Sequence, residues 1–458
     1  MKHIFHLTFA LLAGMALCAC SSDDPMDNDQ AAVPVQPGEA GSDDTWSVKI
    51  EGDMTRSLTL SGSTLTPKFN GEYIYVYYGD TKVGTLTAPS GNVIGDQVLT
   101  GRLNNVVSYT AGQDLSLYFL KDKGFSTYTG QKGTIADIAA NFDFATATAQ
   151  ITNVDVNTHT LTISKATFTS QQAIACFKFD YYLNKDDEII ISGGSSASVK
   201  LTAGLSAGST MYVALPLSGN SSRTFTFNIK RTVDTASRTV LKGSFSTPSG
   251  KTMQNGKYYS TVNSVTTTSK HMYFAVADDK QKRIGSDGFI YGSDAAATNA
   301  GTNVAGVLLC ITAKGNSATN ASGIVLSKSN GPRIEWVNIN QTQLNKNQNT
   351  KPVGGSNWKL PTMAQWNSML QNITGENHEL DSNSHSTYSN VSPGGGATKL
   401  GGSDTSDYKW IYWHDESGTG AIYCYRATTG QGCLTGSAQN RTKTGDGYKN
   451  FVRPISTF

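Results

Sequence analysis

The residues best equipped for chemistry lie together in KWIYWHDESGTGAIYCYR, residues 409–426. Trp410, Tyr412 and Trp413 adjoin His414 and Asp415, and Tyr423 and Arg426 follow. An exposed aromatic ring beside carboxylates gives the CH groups of a sugar a flat surface and its hydroxyls an acceptor. These seven residues are therefore the candidate ligand contacts. Strand alternation sends Trp410 and Tyr412 to one face and Ile411 and Trp413 to the other, so one set is expected in a core and the other open. The competing expectation is that all of these aromatics are core. No His-Glu-x-x-His pair and no Ser-His-Asp set stands out. No catalytic residue, metal site or cofactor is nominated, and an enzyme is not expected. ENHELDSNSH, residues 376–385, holds metal-ligand residue types but has the composition of an exposed polar loop. Cys176 and Cys310 sit in apolar, strand-like runs and read as small core residues. Cys424 and Cys433 flank a Gly-containing turn and could be bridged in an oxidising compartment.

A second chemical feature lies at the start of the chain. Lys2 precedes an apolar run from Ile4 to Leu17, too short for a permanent bilayer span and read as a signal peptide over residues 1–19. Leu17-Cys18-Ala19-Cys20 resembles a bacterial lipobox, which implies cleavage before Cys20 and a diacylglycerol on its sulfur. At ~0.8 kcal/mol per buried methylene, such chains would hold the protein on a membrane. The SSDD that follows Cys20 resembles the signal that sends some Gram-negative lipoproteins to the outer face of the outer membrane, so a cell-surface location is expected. Residues 20–45 are rich in Asp, Gly, Pro and Ser and read as an acidic, flexible tether. The net charge of +2 lacks the basic footprint of a nucleic-acid binder, so no nucleic-acid partner is expected.

The elements that must position these groups are mostly strands. With 46 Gly and only 16% charged residues, the composition suits short strands and turns. TWSVKIEG, GEYIYVYYGD, QDLSLYFLKD, HTLTISKATF, ASVKLTAGL, STMYVALPL and RTFTFNIKR show period-2 alternation or short apolar runs. GTIADIAANFDFATA, residues 133–147, carries Ile135, Ile138 and Ala139 at helical spacing and is expected to hold one short helix. Two antiparallel β-sandwich domains are predicted, over residues 46–150 and 151–268. The lipobox, YTGQKGTIADIAANFDFATA, the strand-dense double sandwich and the closing QNGKYYSTVNSV together resemble the fimbrillin (Mfa-like) family of type V pilus proteins. The resemblance implies two transthyretin-like sandwiches and export as a lipoprotein to the outer membrane. It also implies that an arginine-specific protease removes the first strand, so that a strand from another fimbrial subunit inserts in its place. Arg56, just after the alternating Trp46, Val48 and Ile50, matches the processing position, with Ser57 as the new first residue.

Beyond Val265 the character changes. Five of the six tryptophans lie in residues 269–458, among long Gly- and Ser-rich passages. In NWKLPTMAQW, residues 357–366, Pro361 disfavours helix before it, and Thr362 with Gln365 forms a capping box. Trp358, Leu360, Met363, Trp366 and Leu370 are expected to pack a core. The W-x-L-P-T-x-x-x-W pattern and the terminal NFVRPISTF resemble the C-type-lectin-like fold and its sulfatase-modifying-factor relatives. The fold expected is thus mainly β: two sandwiches followed by an α+β head over residues 269–458. Such a head in the place of a donor strand implies a pilus tip subunit acting as an adhesin toward a glycan or protein ligand. The alternative is a monomeric, surface polysaccharide-binding lipoprotein.

Overall fold

The computed structural model describes Thr45–Phe458 apart from residues 55–56, 62–63, 67–70, 91–94, 125–127, 194–198, 203, 206–207, 220–221, 313–319, 336–337, 375–386, 390–409, 414–418, 427–431, 436–438 and 443–449. For the described residues within 53–66, 95–96 and 387–451, and for Ser260, Met363 and Thr374, it describes the backbone only. The chain is mainly β, and among the described residues no helix is long and apolar enough to cross a membrane.

The first strands are β1 (Thr45–Met54), β2 (Ser57–Ser61), β3 (Thr64–Thr66), β4 (Tyr73–Tyr78), β5 (Thr81–Thr87), β6 (Gly95–Asn104) and β7 (Asp114–Phe119). After β8 (Tyr128–Gln131) and helix α1 (Ile135–Asn141) come β9 (Ala145–Asp155), β10 (Thr160–Ile163) and β11 (Ala166–Ser170). Eight of these strands form one sheet in the order β10-β1-β11-β9-β7-β4-β5-β6, and β1 also pairs with β6. That last pairing closes the sheet into a ring, and closure is the arrangement that removes exposed sheet edges. Its interior holds Ile50, Ile74, Val76, Leu86, Leu99, Leu117, Ile151 and Phe168, among others.

Two expectations change here. The joint expected near Gln150 falls inside β9, and the ring is complete only at Ser170 because β10 and β11 flank β1. The pairing is also not uniformly antiparallel, since β1 runs parallel to both β10 and β11. A strand that enters a ring between neighbours running in opposite directions can be antiparallel to only one of them. The helix expected in 133–147 is present as α1, capped by Thr134, whose hydroxyl accepts from the Asp137 amide at 3.1 Å.

The second core is built from β12 (Ala173–Lys178), β13 (Glu188–Ser192), β14 (Val199–Thr202), β15 (Thr210–Leu215), β16 (Thr224–Val233), β17 (Ala236–Ser246), β18 (Tyr258–Ser264) and β19 (Thr266–Lys270). A six-stranded sheet, β19-β17-β16-β13-β14-β8, and a three-stranded one, β15-β12-β18, share a core centred on Phe177, Phe225 and Phe227. Tyr128 on β8, with Ile138 and Phe142 in and after α1, belongs to this core rather than to the ring. The chain therefore visits the second core before it finishes the first. Cys176 is buried in this region as a free thiol.

The C-terminal region is α+β. It contains β20 (Arg283–Gly285), β21 (Ile290–Tyr291), α2 (Asp294–Asn299), β22 (Val304–Thr312), β23 (Ser322–Ser327), β24 (Arg333–Ile334), α3 (Gln341–Asn345) and α4 (Met363–Thr374). The remaining strands are β25 (Thr387–Ser389), β26 (Trp410–Trp413), β27 (Thr419–Arg426), β28 (Gly432–Thr435), β29 (Gln439–Thr442), β30 (Asn450–Phe451) and β31 (Ile455–Thr457). One sheet has the order β21-β20-β22-β23-β31 and the other β24-β30-β26-β27-β28-β25, with β29 on β27. The capping box at α4 is reciprocal: the Gln365 amide donates to Thr362 Oγ1 at 3.2 Å, and the Thr362 amide to Gln365 Oε1 at 2.9 Å. Trp358, Leu360, Trp366 and Leu370 are buried, as their spacing predicts, while the side chain of Met363 lies outside the described residues. Cys310 is only partly buried.

β19 leads straight into this region through His271, which is buried. Its Nε2 lies 3.0 Å from the Val353 carbonyl, and its Nδ1 accepts from the Tyr273 amide at 3.3 Å. A carbonyl can only accept, so Nε2 carries the proton and the ring is neutral. Burial pulls the imidazole down to about 4. Gly288 has a φ of +83°, and a Cβ there would collide with His271 Nε2, so this contact admits glycine alone. The Gly354 amide donates to Asp234 Oδ2 at 2.9 Å. Arg231 grips Asp187 through two bonds of 2.7 and 2.6 Å and also donates to Asn320.

Candidate functional site

The site with the clearest geometry is the slot that β1 fills. Its side chains alternate without exception through the described positions: Trp46, Val48, Ile50 and Gly52 face inward and are buried, while Ser47, Lys49 and Glu51 are exposed. On one side β1 pairs antiparallel with β6 along its whole length, from Thr45 opposite Asn104 to Met54 opposite Gly95. On the other side it runs parallel to β10 at Ser47–Lys49 and to β11 at Gly52–Met54. One strand thus satisfies two backbone edges and fills a core at the same time. Without it, the N–H and C=O groups of β6 and of β10–β11 would lie open along the slot, a template for strand addition.

The four inward positions are not alike. The Trp46 indole N–H donates to Asn105 Oδ1 at 3.0 Å, and its ring meets Tyr109 edge-on at 5.7 Å and His159 at 5.3 Å. Burial, with Tyr78 nearby, pushes the Tyr109 hydroxyl up to about 12, and it donates to the Asn104 carbonyl at 2.7 Å. Val48 and Ile50 occupy the middle, and Ile50 is wholly buried. At Gly52 a Cβ would lie tight against Leu99 Cδ1, at 3.0 Å, and in ordinary contact with Phe168 Cε2, at 3.6 Å. The roles of Gly52, Leu99, Asn105, Tyr109, His159 and Phe168 were not nominated from sequence. Only Gly52 carried a local signal, as the next inward position of the same alternation.

The nominated processing residues sit directly behind this strand. Arg56 lies outside the described residues, and Ser57 opens β2, which pairs only with β3 among the described residues. A cut between them would leave β1 attached to the ring by non-covalent contacts alone. Cys20 lies outside the described residues.

Five of the seven nominated ligand residues, Trp410, Tyr412, Trp413, Tyr423 and Arg426, lie on strands β26 and β27. Trp410 stands opposite Cys424, Ile411 opposite Tyr423, Tyr412 opposite Ile422 and Trp413 opposite Ala421. Facing residues of an antiparallel pair share a face, so Trp410, Tyr412 and Arg426 fall on one side and Trp413 and Tyr423 on the other. His414 and Asp415 lie outside the described residues, as does 376–385. Cys424 stands opposite Leu434 and Cys433 opposite Tyr425, which assigns the two cysteines to opposite faces of the β27–β28 ladder. Elsewhere, burial pushes the Cys310 thiol up to about 11, away from a thiolate nucleophile. Among the described residues no group of three His, Cys, Asp or Glu is placed to hold a metal.

Residues 452–457 are committed to the fold of their own region. β31 pairs with β23, Val452 and Ile455 are fully buried, and Arg453 donates to Asn330 Oδ1 at 2.8 Å and the Lys328 carbonyl at 3.2 Å.

No family model matches the sequence, and no curated protein does. Among solved structures, a fimbrial protein from Bacteroides ovatus ATCC 8483 is similar over 89% of this chain and 98% of its own, at 10% identity and a TM-score of 0.24. A fimbrilin (fimA) from Porphyromonas gingivalis W83 overlaps 40% of this chain and 71% of its own, at 11% identity and a TM-score of 0.22. A putative cell adhesion protein from Bacteroides eggerthii DSM 20697 overlaps 48% and 86%, at 8% identity and a TM-score of 0.25. With TM-scores this far below 0.5, these overlaps carry no argument about the chain's function.

Proposed function

We propose that this chain is a fimbrial adhesin that reaches the cell surface as a lipoprotein on Cys20 and is activated by a cut between Arg56 and Ser57. The observation that carries this reading is the position of β1, which closes the first ring, fills its core and ends two residues before Arg56. Loss of β1 after the cut opens a slot that an extended segment of another subunit fills, and assembly follows by strand addition. We assign the chain to a tip position, a reading compatible with the pairing of β31 to β23 inside its own region. Residues 269–458 form the head, and Trp410, Tyr412, Trp413, His414, Asp415, Tyr423 and Arg426 are the contacts proposed for a glycan or protein ligand.

The test is the N-terminus of the protein recovered from the surface of cells that express it. Mass spectrometry is expected to find Ser57 as the first residue. A mature surface protein that still begins at a lipid-linked Cys20 would overturn the proposal and favour a monomeric, polysaccharide-binding lipoprotein.

A further inference from the structure

The slot has a shape that selects its occupant. It has a socket for a large aromatic ring at Trp46, with a polar end at Asn105 that takes an N–H. Two aliphatic positions follow, at Val48 and Ile50, and then, at Gly52, a position where a Cβ would press on the Leu99 side chain at 3.0 Å and touch Phe168 at 3.6 Å, so that the smallest residues fit best. The outward positions, Ser47, Lys49 and Glu51, are exposed and place no demand on side-chain size. Direction is set too, because the occupant runs antiparallel to β6 and parallel to β10 and β11.

Building on the strand-replacement reading, we infer that the slot accepts an extended segment of a different polypeptide bearing aromatic, aliphatic, aliphatic and glycine at successive alternate positions. Within the 458 residues, aromatic or His, then Val, Ile, Leu or Met twice, then Gly or Ala at that spacing occurs only at Trp46–Gly52. HTLTISK, residues 159–165, comes nearest but ends in Lys165 where the slot calls for the smallest residue. Apart from β1 itself, these 458 residues therefore offer no segment suited to the slot, and the occupant comes from a partner of another sequence. Glycine is the discriminating position. A bulky side chain there meets Leu99, itself fully buried, and would have to displace it within a packed core.

The experiment uses the full chain with a site-specific protease sequence inserted after Arg56. After the cut, mild urea removes the N-terminal segment, and circular dichroism checks that the remainder is folded. That protein is incubated with an excess of fluorescent ten-residue peptides, and retention is followed by size exclusion. The first peptide is β1's own sequence, TWSVKIEGDM. The second carries Gly52→Leu and the third Lys49→Ser. The first and third are expected to be retained equally and the second at least tenfold less. Retention of the Gly52→Leu peptide equal to that of β1's own sequence would overturn the selectivity while leaving strand acceptance standing. Failure of β1's own peptide to enter the folded, cut protein would remove strand acceptance itself, and the selectivity with it. A Leu99→Ala acceptor, which opens the space beside Gly52, is expected to narrow the difference between the first two peptides.

Discussion

Ile50→Ala is the sharpest probe of what holds β1 in the ring. Ile50 is wholly buried, and truncation removes roughly three methylene equivalents at ~0.8 kcal/mol each. The cavity left behind adds to that loss, which brings the destabilisation to about 3 kcal/mol, within the usual range for such changes. Lys49, one position earlier, is exposed, and Lys49→Ala is expected to stay within about 0.5 kcal/mol. In the chain cut after Arg56, the strand's contacts are no longer supported by a covalent link. A difference of about 3 kcal/mol then weakens retention of the N-terminal segment about a hundredfold. The assay is size exclusion of the cut protein over a dilution series, with mass spectrometry of the retained species. Wild type and Lys49→Ala are expected to hold the segment alike, and Ile50→Ala to release it at far higher protein concentration. Equal retention by Ile50→Ala and Lys49→Ala would show that backbone pairing alone holds the strand, and the slot would lose its role as a side-chain selector.

Two further outcomes follow from the second core and its junction. Asp187→Ala strands the Arg231 guanidinium in a site where the Asp187 side chain is 1% exposed, and urea denaturation should show a loss of about 3–5 kcal/mol. His271 is held at about 4 in the folded chain against its ordinary 6.5, so the unfolded chain binds more protons between those values. Its contribution to stability is therefore level above about pH 6.5 and falls as pH drops toward 4, by up to about 3 kcal/mol. The gap between urea midpoints measured at pH 7 and pH 4.5 should be smaller in His271→Gln than in wild type; an unchanged gap would refute the assignment.

Much of the local structure was legible because it rests on short-range rules. Period-2 alternation marked β1, β4, β7 and β16, and the Thr362–Gln365 capping box marked the start of α4. The burial of Trp358, Trp366 and Leu370 followed from the same kind of spacing. Local periodicity says which face of a strand is apolar, but it does not say which strand lies beside it. Around Gln150, for example, β9 runs on from Ala145 to Asp155, and β10 and β11 complete a ring whose other flank, β6, lies far earlier in the chain.

The sequence by itself determined that the first strand has one apolar face and that an arginine follows closely behind it. Both are properties of adjacent residues, and neither depends on what the chain does elsewhere. Only the tertiary structure decided that this strand closes a ring, that Leu99 lies close against its fourth inward position, and that Trp410 and Trp413 belong to opposite faces of one ladder. Those facts depend on pairings across long stretches of chain, where loop closure and shared burial choose the partner.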